Sequence, residues 1–71
     1  MKVIGDFDGA KLKEIMADKK MSVMDVVIAF HKRDNPISEP AVRGWTKGIN
    51  PMYSNAMMLS DILGVDPKSF Q

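Results

Sequence analysis

Seventy-one residues with a net charge of +1, 45% hydrophobic and 27% charged, have the composition of one small globular domain and not of a disordered tail. The chain has no cysteine, which excludes a disulfide framework and a thiolate metal site and fits a reducing cytoplasm. No apolar run approaches the roughly 20 residues needed to cross a bilayer. The opening Met1-Lys2-Val3-Ile4-Gly5-Asp6 is too short and too acidic for a signal peptide, and Met1 reads as a natural start. A soluble, cytoplasmic protein with no membrane partner is expected.

Residues 1–8 can form an arm or a short strand, with Val3, Ile4 and Phe7 around Gly5; both stay open. A helix over 9–20 follows, capped by Asp8. Ala10, Leu12, Ile15 and Met16 take helical spacing, Lys11, Lys13, Glu14 and Asp18 the wet side, and Lys19-Lys20 the negative end of the dipole. Ser22 and Asp25 predict a capping box for a second helix, with Met21 stapled against Val26 and a buried face of Val26, Val27 and Phe30. Its β-branched residues make a short strand the competitor. His31-Lys32-Arg33-Asp34-Asn35-Pro36 is polar, ends in Asn-Pro, and is expected to be a loop.

The stretch 37–48, I-S-E-P-A-V-R-G-W-T-K-G, carries the densest punctuation. Ser38 is an N-cap, Glu39 suits the positive end of a dipole, Pro40 is tolerated in a first turn, and Gly48 supplies a left-handed stop. Ala41, Val42 and Trp45 make one narrow apolar face. A helix of about three turns cannot stand alone in water, so Val42 and Trp45 must dock on the rest of the chain and hold the polar flank outward. Ile49-Asn50-Pro51 then turns, and Pro51 begins a fourth helix through Tyr53, Met57, Leu59 and Leu63 to Gly64. Asp66-Pro67 opens a final short turn in which Phe70 covers the core. Of the seven methionines, Met16, Met21 and Met57 fall on core faces. Met52 and Met58, if exposed with Tyr53, would form a contact patch.

In this order and spacing, G-A-K-L-K-E-I-M-A-D-K-K-M-S, the A-V-x-x-W-x-x-G helix and the I-L-G-V close make residues 9–70 similar to the Cro/C1-type helix-turn-helix proteins, the phage repressors and their relatives. The resemblance implies an all-α, lambda repressor-like bundle of four to five helices, with residues 9–71 as a DNA-binding domain and 38–47 as its recognition helix. It also shows departures. His31 stands where the family has a turn glycine, and Lys32 to Pro36 are extra, lengthening the turn between helices two and three. Met16 and Thr46 replace an arginine–glutamate pair of some relatives, and since both partners are missing together no charge is left unpaired.

The positions that face bases in the family are Glu39, Pro40, Arg43 and Gly44. Arg43 can donate two hydrogen bonds to guanine O6 and N7; phosphate contact or a solvated surface role are its alternatives. Glu39 can accept from cytosine N4, or serve only the helix start; Pro40 can meet a thymine methyl, or merely fit the first turn. Gly44 costs about 1 kcal/mol against alanine inside a helix, so either a DNA groove or a neighbouring element, the long loop being one choice, should approach it closely. The backbone at Val23, together with Ser38, Lys47 and Asn50 and with Lys32 and Arg33 from the lengthened turn, are candidates for phosphate.

The charge supports this weakly. Lys32, Arg33, Arg43 and Lys47 gather around the third helix while Asp6, Asp8, Asp61 and Asp66 lie towards the ends, but Asp25, Asp34 and Glu39 dilute the asymmetry. The single histidine has no carboxylate cluster beside it, and no nucleophile–base pair or glycine-rich phosphate loop can be assembled. No enzyme, metal, cofactor or small-molecule substrate is expected. The expected function is that of a sequence-specific transcriptional regulator, phage or prophage repressor-like, binding double-stranded DNA as a homodimer. The alternative is a protein-interaction module, an anti-repressor or adaptor, on the same scaffold.

Overall fold

The ends of the helices show how local chemistry builds this domain. A computed structural model describes residues 6–71. The choice between arm and strand for the first five residues lies outside the described residues. Within them the helices are α1 (Gly9–Asp18), α2 (Val23–Lys32), α3 (Glu39–Thr46) and α4 (Tyr53–Leu63), followed by a 3-10 turn at Pro67–Phe70. Among the described residues the chain is therefore an all-α bundle, and the strand alternative for the second segment is not taken.

Side chains cap most of the starts. Asp8 Oδ1 accepts from the Ala10 and Lys11 N–H groups, and Ser38 Oγ accepts from Ala41 N–H. Asp66 Oδ1 accepts from Lys68 N–H. At α2 the box is complete: Asp25 N–H donates to Ser22 Oγ at 3.1 Å and Ser22 N–H to Asp25 Oδ2 at 2.9 Å. Satisfying two orphan donors at once favours helix over strand for a valine-rich segment. The backbone N–H of Ser22 and then its hydroxyl hold the Asp25 carboxyl below its ordinary value of 3.8, with desolvation opposing them. By contrast α4 starts with no side-chain cap.

Each of α1, α2, α3 and α4 closes with the same pair of backbone bonds. One runs from the second or third residue past the helix to the carbonyl five residues earlier: Met21 to Met16, Asn35 to Phe30, Ile49 to Gly44, Val65 to Ser60. The residue between must enter the left-handed region. Glycine does so at Gly48 and Gly64, but Lys20 and Asp34 do so as well, each at φ 57°.

Those closures correct several expected boundaries. The first helix ends at Asp18, not Lys20, because the left-handed Lys20 turns Met21 back towards the core. His31 and Lys32 belong to the last turn of α2 and not to a loop, since the break comes at Asp34. α3 has eight residues, a little over two turns. Pro51 does not begin α4; its ring is fully buried and the helix starts two residues later at Tyr53.

Leu12, Val26, Phe30, Val42, Leu59 and Phe70 are wholly enclosed. Trp45 joins them with its ring 5.7 Å from that of Phe30, so α3 is seated on α2 by an aromatic pair. Against α1 the seat is backbone on backbone. A Cβ on Gly9 would lie 2.5 Å from the Trp45 carbonyl oxygen and 2.7 Å from the Gly48 nitrogen, closer than any side chain allows. Phe7 stacks on Phe70 at 5.4 Å, and Asp8 N–H donates to the Phe70 carbonyl, closing the front of α1 against the terminal turn. On α4 the buried face is Asn55, Ala56, Leu59, Ser60 and Leu63. That register leaves Met57 40% exposed beside Tyr53, contrary to its expected core position. Met58 is half-buried against the core, so the condition for a contact patch with Met52 and Tyr53 is not met there.

Candidate nucleic-acid interface

Val42 and Trp45 are consumed by the core, which fixes the rotation of α3 about its axis and sends Arg43 and Lys47 outward. Beside this outward flank runs an open groove of about 390 Å³. α1 supplies Lys13, Met16 and Ala17, the start of α2 supplies Met21, Ser22 and Val23, and the end of α3 supplies Arg43, Thr46 and Lys47. Its floor is apolar, and three cations stand on its wall with no carboxylate among the lining residues.

Three of the residues singled out in the sequence, Val23, Arg43 and Lys47, thus meet on one groove although twenty positions separate the first two. Val23 is the first residue of α2, where helix N–H groups point towards solvent. Thr46 Oγ1 donates to the Arg43 carbonyl at 2.6 Å, so the hydroxyl is turned back onto its own helix. Glu39 and Arg43 form an ion pair one turn apart, Nη2 to Oε1 at 2.6 Å. Both side chains are substantially exposed, where such a pair is worth only about 0.3–0.5 kcal/mol. Ser38 is committed to its cap, and Pro40 is exposed in the first turn.

The remaining candidates are not gathered there. Arg33 reaches across to α4, with Nη2 3.1 Å from Asp61 Oδ2 and Nη1 donating to the Ala29 carbonyl. Lys32 is at the opposite end of α2 from Val23, about 13 Å away at 1.5 Å per residue. Asn50 is exposed in the connection between α3 and α4. Gly44 has a cause within the chain: a Cβ there would meet Ile49 Cδ1 at 3.0 Å, and Ile49 is held over it by its own N–H bond to the Gly44 carbonyl. The neighbour that crosses Gly44 is therefore the α3–α4 connection and not the long loop.

That loop is held elsewhere. His31 Nε2 donates to the Ile37 carbonyl at 3.1 Å, tying the last turn of α2 to the residue before the α3 cap. Asn35 Nδ2 donates to the buried Asn55 Oδ1 at 3.0 Å and more weakly to Met58 Sδ. Arg33 and Asn35 thus anchor the α2–α3 connection on α4.

The chain matches no protein-family model, no curated protein and no solved structure. In the sequence Lys13 is one of several polar residues on the wet side of the first helix. The signal that could have found it is its spacing: it lies one turn before Met16 and Ala17, so it borders the same face that the core-bound Met16 enters. Asn55 carried no local signal, since its partner Asn35 is twenty residues away.

Proposed function

We propose that this chain is a DNA-binding regulator of the Cro/C1 helix-turn-helix kind, with a lambda repressor-like arrangement of its helices, laying the 38–47 helix in the major groove of duplex DNA. The observation that carries the reading is the shared groove. The outward flank of α3 opens beside the first turn of α2, with Lys13, Arg43 and Lys47 around it. A recognition helix needs that relation, because one flank must meet base edges while the neighbouring helix start and cations meet the phosphates on either side. Arg43 is the residue for base contact, by its fork to guanine. Val23 through its backbone, Lys13 and Lys47 are the phosphate contacts. Arg33 is left out of this set because Asp61 holds it.

So few phosphate contacts give modest affinity, which a homodimer on two half-sites would raise. The test is selection of bound sequences from a random duplex pool, repeated with Arg43→Ala. Enrichment of a motif that loses a G·C position in the variant supports the reading. Absence of enrichment at low salt overturns it. Log affinity should also fall linearly with log salt, with a slope of about −2 per protomer for the two phosphates that Lys13 and Lys47 neutralise.

A second reading has its own observation. Tyr53 and Met57, four residues apart on α4, are both exposed, as the surface of a protein-interaction module would be. It predicts that substitutions at Tyr53 and Met57, and none on α3, abolish the chain's activity in the cell.

A further inference from the structure

We infer that Glu39 is a positioning residue that tunes duplex recognition through Arg43 and does not itself touch a base; the inference rests on the DNA-binding reading above. Glu39 Oε1 accepts from Arg43 Nη2 at 2.6 Å across one helical turn. The carboxylate side chain is the less exposed of the two, at 38% against 57%, because it sits at the start of α3 where the helix joins the body. Arg43 also lines the groove that Lys13 and Lys47 border, and Glu39 does not.

Two consequences follow from this geometry. The contact uses one of the five N–H donors of the guanidinium. Nη1 and the second Nη2 hydrogen remain for a guanine edge, and the contact biases the fork towards one orientation before DNA arrives. Less rotamer freedom is then lost on binding. The same contact cancels the charge of Arg43 wherever no guanine is offered, which weakens the attraction of the α3 flank to arbitrary phosphates. Glu39 thus raises the ratio of specific to non-specific affinity from both sides. As a base-contacting group it would do neither, since an acceptor aimed at cytosine N4 would leave Arg43 unrestrained.

A double-mutant cycle separates these roles. The wild-type chain, Glu39→Gln, Arg43→Ala and the double variant are titrated with the duplex selected by the wild type and with a scrambled duplex, at several salt concentrations. Glu39→Gln should bind the scrambled duplex more tightly, with a salt slope steeper by about one unit. Its ratio of selected to scrambled affinity should fall about twofold, the worth of an exposed pair one turn apart. In the Arg43→Ala background the same substitution should leave that ratio unchanged, because the residue it acts through is gone. An equal loss in both backgrounds, or no loss in the wild-type background, overturns the inference. If the wild type itself shows no preference for its selected duplex, the DNA-binding reading has failed and not merely the role of Glu39.

Discussion

The two flanks of α3 are built to opposite standards. On the inner flank Val42 is sealed, Trp45 faces Phe30, and the backbone of the last turn touches Gly9 so closely that no Cβ fits. On the outer flank one solvent-exposed ion pair is the main restraint. The inner flank determines where the helix lies, and the outer flank is left free to meet something else. An eight-residue helix can therefore be rigid in position and adjustable in surface, as a recognition element requires.

Unequal costs of substitution are the first way to break this comparison. Trp45→Ala should lose about 3–5 kcal/mol, a large part of the roughly 4–10 kcal/mol available to a domain of this size. Arg43→Ala should stay within about 0.5 kcal/mol of the parent. Urea unfolding followed by circular dichroism measures both, and equal losses would contradict the distinction between the flanks.

Gly9→Ala sharpens the inner side. A methyl at 2.5 Å from the Trp45 carbonyl oxygen cannot be relieved by a rotamer change, because the opposing atoms are backbone. A loss of about 1–3 kcal/mol is expected, and a neutral result would mean that α1 and α3 are not in contact there.

Smaller effects belong to the helix ends. Lys20 and Asp34 hold left-handed positions where Gly48 and Gly64 perform the same closure. Lys20→Gly should therefore raise stability, by up to about 1 kcal/mol once the extra chain entropy of glycine is subtracted, visible as a higher urea midpoint at unchanged slope.

Asp25 gives the smallest and most specific signal. Its folded carboxyl lies below the ordinary value, held chiefly by the Ser22 backbone N–H. The contribution is thus fully present above the unfolded value and disappears as pH falls through the folded one. Asp25→Asn should be less stable than the parent near neutrality, and the gap should close below about pH 4. A gap independent of pH would place the effect of Asp25 outside its charge.

What could be read in the sequence follows the range of the interactions. The caps at Asp8, Ser22, Ser38 and Asp66 and the buried faces of α2 and α3 are legible because each is decided within about one turn of chain. Lys20 and Asp34 misled because their left-handed conformation is imposed by where Met21 and Asn35 must go, and neither residue type announces it. Met57 misled because α4 is rotated to bury the small Ala56 and Ser60 and the paired Asn55. For the candidate site, Arg43, Lys47 and Val23 were visible through helix periodicity and the family resemblance. Lys13 and the seating of Gly9 arise only when α1 lies against α3, and the engagement of Arg33 only when α4 lies beside α2.

The central claim is that the outer flank of α3 is the surface presented to DNA. Amide chemical shifts recorded while the selected duplex is added to labelled protein test it most directly. The account predicts shifts concentrated at Lys13, Val23, Glu39, Arg43 and Lys47, with the α4 residues Asn55 and Ser60 unmoved. Shifts confined to Tyr53, Met57 and their neighbours on α4, or none at low salt, would contradict it.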